Sequence, residues 1–124
     1  MTPETALREV AARFQYRTDR AQYDRREKWR IMRAPSGPLI GDCEDFALTV
    51  LWYCCDKSIL KFWWRIISFQ AAIWHCTTAA GTGHAALWHR GKWVDNIYPA
   101  WAASPRHRRW FPWLAPLVAI RLLI

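Results

Sequence analysis

Apolar positions Leu7, Val10, Ala11 and Phe14 recur at helical spacing behind Thr2-Pro3, a capping residue followed by one suited to the first helical turn. The spacing predicts a helix beginning near residue 3 that continues, or restarts, through the polar stretch Arg17–Arg33. Ala34-Pro35-Ser36-Gly37-Pro38 breaks it and marks a loop. Asp42 then reads as an N-cap, with Asp45 three residues on as its capping-box partner. Behind that cap, Phe46, Ala47, Val50, Leu51 and Cys54 lie on one helical face, and Cys43 occupies the same face a turn earlier.

After Asp56 the period changes. Leu60, Phe62, Trp64 and Ile66 alternate and predict a strand, and Ala72–Thr78 predicts a second. The turn Ala80-Gly81-Thr82-Gly83 leads into His84–His89, and Arg90-Gly91 reads as a tight hairpin turn returning through Trp93–Asn96. Helices first and about three or four antiparallel strands afterwards place the chain in the α+β class.

Composition sharpens this picture. A chain of 124 residues, 52% hydrophobic, can bury one core without metal or disulfide staples. Most of the ten tryptophans are expected in the core, but the count also leaves room for an aromatic surface that meets a partner. The net charge of +8 sits at the ends. Residues 1–33 carry nine Arg/Lys against five Asp/Glu, residues 34–100 five against five, and residues 101–124 four against none. Basic ends suit a solvated surface or an acidic partner, and no nucleic-acid motif accompanies them.

No signal peptide is visible, and Pro112, Pro116 and Arg121 interrupt the apolar C-terminal stretch, so no transmembrane segment is expected. The expected locations are a host cytoplasm or a virion. In a reducing setting Cys43, Cys54, Cys55 and Cys76 stay free thiols. The expected organisation is one domain over residues 1–105, with residues 106–124 as a basic, aromatic docking tail.

Cys43 is the residue around which chemistry gathers. At a helix start, unpaired N–H groups and the helix dipole favour a thiolate, and the same N–H groups can receive an oxyanion. Asp42, Glu44 and Asp45 oppose this by raising the thiol pKa, so Cys43 needs a cationic partner. His84 can supply it, and Asp95, near the far end of the same hairpin, can orient the imidazole. A zinc set of Cys43, Cys76, His84 and His89 lacks paired ligand spacing and is the weaker alternative. His75 and His89 read as strand residues and His107 as part of the basic tail.

These residues resemble a known family. Gly41-Asp42-Cys43-Glu44-Asp45-Phe46-Ala47 is similar to the G-D-C-E-D-[YF]-A signature of bacterial transglutaminase-like cysteine peptidases. Gly83-His84-Ala85-Ala86-Leu87 resembles that family's histidine strand, and Trp93-Val94-Asp95-Asn96 its aspartate strand. Trp29 and Pro35 loosely resemble its W-x-T-P approach to the cysteine. The resemblance spans residues 29–97. It implies a papain-like core, a Cys43–His84–Asp95 triad and cleavage of an amide in a protein or peptide. It also implies a calcium ion at Asp42, Glu44 and Asp45, although the chemistry itself requires no cofactor. Short members without an export signal are typical of tailed bacteriophages, which suggests a virion or infection-stage role. A catalytically idle adaptor, docked through its tail to a phage structural protein, is the alternative function.

Overall fold

A computed structural model describes residues 2–16, 29–34, 36–78, 81, 83–105, 107–113 and 115–123. Thr2 caps α1 (Pro3–Arg13), accepting from the Thr5 N–H at 3.2 Å. The helix stops at Arg13, where Phe14 turns extended and opens β1 (Phe14–Tyr16). β1 pairs in parallel with β2 (Leu39–Gly41), Phe14 opposite Leu39. Arg13 ties this end of α1 to the following loop by donating to the carbonyls of Gly37 (2.7 Å) and Ala34 (2.6 Å). The helix expected through Arg17–Arg33 is therefore absent at 14–16 and at 29–34, while 17–28 lie outside the described residues.

At the centre runs α2 (Cys43–Cys54), buried on nearly every side. It packs on α1 along one flank and on the sheet along another. Phe46, Leu48, Val50 and Leu51 join Ala6, Leu7 and Val10 of α1 in one core. Burying such side chains contributes about 1.5–3 kcal/mol each and is the main force holding the layers together.

Residues 59–67 are the clearest departure from the sequence pattern. They form α3 (Ile59–Ile67), an α-helix rather than a strand, with Ser58 as N-cap accepting from the Lys61 N–H. Phe62 and Ile66, four apart, are its buried residues, whereas Leu60, Trp64 and Ile67 face solvent. The apolar residues at 60, 62, 64 and 66 satisfy period two, but Lys61 and Arg65, four apart, mark the polar stripe of a helix. The serine cap decides between them.

β3 (Ala71–Thr77), β4 (Gly83–His89), β5 (Lys92–Val94) and β6 (Arg108–Trp113) form an antiparallel sheet in the order β5-β4-β3-β6. Arg90 and Gly91 both have positive φ (47° and 90°) between the paired residues His89 and Lys92. That is the two-residue turn whose twist matches a hairpin. The protein is thus mixed α+β, with four helices and a small antiparallel sheet among the described residues.

Beyond the boundary expected after residue 105, the described residues pack with the rest of the chain. β6 is an edge strand of the main sheet, which tolerates Pro112, and the α4 (Ala115–Leu123) residue Val118 is fully buried in the main core. Trp113 also stacks edge-on against Trp29, with ring centroids 4.8 Å apart. No helix among the described residues is long and apolar enough to cross a membrane.

Candidate active site

The segment Gly41–Asp45 folds as an interlocking cap. Asp42 accepts from the Asp45 N–H (3.2 Å), and the Asp45 carboxylate returns to the Asp42 N–H (3.3 Å). Its other oxygen accepts from the Arg30 N–H at 2.8 Å, tying the incoming chain to the helix start. Gly41 is required by space. A Cβ there would stand 2.7 Å from both Cβ and Oδ2 of Asp45 and 3.0 Å from the Met32 sulfur.

This cap places Cys43 in the first turn of α2, 8% exposed. Its thiol donates to the Glu44 carboxylate at 3.1 Å, and the Ala85 main chain of β4 also lies against it. Burial is the largest influence on the thiol and pushes its pKa far up, aided by the Glu44 and Asp42 charges. The Ala85 main chain works the other way but does not prevail. Glu44 and Asp45 are themselves raised, first by burial and then by the Asp42 charge. The resting thiol is therefore protonated, and the helix terminus alone does not ionise it.

Across the sheet, His84 and Asp95 do meet. His84 Nε2 lies 3.7 Å from Asp95 Oδ1, both side chains almost wholly buried. Asp95 Oδ1 also accepts the N–H groups of Ile97 (2.9 Å) and Tyr98 (2.8 Å), which fixes the carboxylate. Burial disfavours its charge, yet His84 beside it, the Tyr98 N–H and the His107 imidazole together bring its pKa below the ordinary carboxylate value. Asp95 is an anion here, as an imidazole-orienting group must be.

The structure brings Cys43 against β4 at Ala85, next to His84 in the chain, but no hydrogen bond or ion pair joins Cys43 and His84 among the described residues. Strand alternation explains the separation. Ala85 and Leu87 belong to the core shared with α2, whereas Ala86 packs with Cys76, Trp93, Trp74 and Trp88 on the opposite face. His84, paired with Cys76, follows that second set.

Calcium does not fit Asp42, Glu44 and Asp45 as a set. Both Asp45 oxygens already serve backbone N–H groups, and Asp42 is engaged as the helix cap. The zinc set weighed from sequence is not assembled either, because His89 Nε2 accepts instead from Arg65 at 2.9 Å. Burial, then the Arg65 and Arg90 charges, lower the His89 pKa to about 4 and keep it neutral.

One participant was not expected. His107 Nε2 lies 2.9 Å from Asp95 Oδ2, and its ring meets His84 edge-on with centroids 4.9 Å apart. No spacing signalled it, since it stands alone in a basic stretch. The chain reaches it after Trp93 and Ala102 pair through mutual backbone bonds of 2.8 and 2.9 Å, turning the segment back across the sheet. No protein-family model matches this chain, and no curated protein matches it.

Proposed function

We propose that the protein is a small thiol hydrolase, similar to the transglutaminase-like cysteine peptidases, that cleaves an amide bond in a protein or peptide. The observation that carries this reading is the seating of a first-turn cysteine against β4, one residue from a buried His84–Asp95 pair. Cys43 is the nucleophile, His84 the base and Asp95 its orienter. With Nε2 turned to Asp95, His84 keeps Nδ1 for the thiol.

The resting thiol donates to Glu44, so activation accompanies substrate entry rather than preceding it. Because His84 follows the other face of β4, exchanging Glu44 for His84 as acceptor requires the start of α2 to shift relative to that strand, not side-chain rotation alone. Sγ then attacks the carbonyl carbon while His84 takes the thiol proton. The Cys43 N–H, at the first helical position, receives the oxyanion. The C–N bond breaks, His84 returns the proton to the departing amine, and water hydrolyses the thioester.

Affinity labelling tests this. Peptidyl chloromethyl ketones, with adducts read by mass spectrometry, should alkylate Cys43 ahead of Cys54, Cys55 and Cys76. His84→Ala should slow that adduct by about 10²–10⁴-fold. Equal rates in both proteins would remove the imidazole from the mechanism.

A second reading, an idle papain-like scaffold in a phage particle, draws on Leu60, Trp64, Ile67 and Phe69, large apolar side chains exposed on and just after α3. Its docking surface would be α3 rather than the C-terminal tail, and Cys43 would show no advantage over the other thiols.

A further inference from the structure

Two buried imidazoles aimed at one carboxylate are more than a triad needs. His84 Nε2 and His107 Nε2 are both shut off from solvent and lack a hydrogen-bond partner, although each stands near an oxygen of Asp95. A buried polar atom left in this way costs about 1–3 kcal/mol. Two such atoms converging on an anion form a half-satisfied polar cluster, which is normally relieved by a proton, a water or a cation. The ligand atoms of His84, Asp95 and His107 all lie within 4.8 Å of one another.

We propose that His84, Asp95 and His107 form a binding site for a borderline divalent cation, zinc above all, and that occupancy silences Cys43 by capturing its base. The chemistry of the donor set selects the ion. Two imidazole nitrogens and one carboxylate suit zinc, whereas calcium and magnesium prefer an all-oxygen shell. The dimensions agree. Tetrahedral zinc with bonds of about 2.0–2.1 Å separates its ligands by roughly 3.3 Å. His84 Nε2 stands 3.7 Å from Asp95 Oδ1 and His107 Nε2 2.9 Å from Asp95 Oδ2, so each imidazole lies close to that separation from one of the two carboxylate oxygens.

The surroundings are also those of a ligand site. Asp95 Oδ1 is held by the Ile97 and Tyr98 N–H groups, leaving Oδ2 toward His107. Backbone support of this kind orients a metal-bound carboxylate. Asp95 and His107 also line a small cavity of about 10 Å³ beside the cluster, enough for a single water-sized ligand. Three protein ligands leave a fourth position for that molecule, the open arrangement that zinc sites use when they bind exogenous groups.

Metal binding stands on this geometry alone, while the silencing rests on the thiol-hydrolase reading, so the test separates them. Binding to the full chain is measured by competition with a chromophoric chelator, using zinc and then cobalt. The expected result is one ion per chain, weakened at least about 10-fold by His107→Gln and by Asp95→Asn, and unchanged by Cys43→Ala. Circular dichroism confirms that the variants are folded. A variant that fails to fold is replaced by the cobalt spectrum of the unaltered chain, which should show no thiolate charge-transfer band. No saturable binding, full affinity in folded His107→Gln, or a thiolate band would each overturn the site.

The second arm reads Cys43 labelling by a chloromethyl ketone with and without zinc. Zinc should slow labelling of the unaltered chain and spare the folded His107→Gln protein. If zinc binds as described and labelling is unchanged or faster, the silencing is overturned and the site stands. Slow labelling of Cys43 even without zinc would instead count against the hydrolase reading.

Discussion

Replacing Asp45 by alanine removes the side chain that holds the start of α2, and with it Cys43, in place. Two donors lose their acceptor: the Asp42 N–H at 3.3 Å, half of the capping box, and the Arg30 N–H at 2.8 Å, the link to the preceding segment. The cap is worth about 1 kcal/mol. An N–H left unpaired in a largely buried place costs about 1–3 kcal/mol more. Relief from burying a carboxylate beside Asp42 offsets part of this, so a net loss of about 2 kcal/mol is expected in mildly acidic solution.

The sign of its pH dependence follows from the direction of the shift. Burial, then the Asp42 charge, raise the folded pKa of Asp45 above its unfolded value. Its contribution is therefore fully present below the unfolded value and declines as pH rises through the folded one. Urea unfolding of Asp45→Ala and the unaltered chain at about pH 5 and about pH 8 should show the larger gap at the lower pH. A gap under about 0.5 kcal/mol at the lower pH, or one that widens as pH rises, would refute the role given to the cap.

Other consequences are as definite. Gly41→Ala should cost about 1–3 kcal/mol in the same unfolding assay, because the new methyl meets Asp45 at 2.7 Å. Phe62→Ala should cost about 3–5 kcal/mol, whereas Leu60→Ser should stay within about 0.5 kcal/mol. A strand at 60–66 would place these two residues on one face and make the costs alike. His89, lowered from 6.5 to about 4, should lose stability as pH falls through that window. After allowance for solvent screening the loss is about 2 kcal/mol, read as the difference from His89→Gln, which keeps a side-chain acceptor and does not titrate.

Where local chemistry decided structure, the sequence was legible. Thr2-Pro3 and the Asp42/Asp45 pair predicted two helix starts, and Arg90-Gly91 predicted the hairpin turn. Each of these depends on residues within one turn of one another. The pattern over 60–66 misled because the alternation of apolar residues was read without the helical spacing of Lys61 and Arg65, and Ser58 was not weighed as a cap. Arg108–Trp113 was read as tail because its place beside β3 depends on a long-range pairing that no local signal reports.

The site divides in the same way. The sequence placed Cys43 and Asp95 at element boundaries and, through the hairpin, His84 near Asp95, as the structure has them. His107 reaches Asp95 only through tertiary return of the chain. The electrostatics at Cys43 also needed the fold. Three nearby acids were visible in sequence, but only the packed structure shows the thiol donating to Glu44 with no hydrogen bond to His84.

The most direct test of a Cys43 acyl-enzyme is the intact mass of the protein mixed with p-nitrophenyl acetate and sampled over time. One acetyl group should appear on Cys43 as nitrophenol is released and then disappear as the thioester hydrolyses, with Cys43→Ala remaining unmodified. Acetylation that avoids Cys43, or that is equally fast on Cys43 in His84→Ala, would contradict the account.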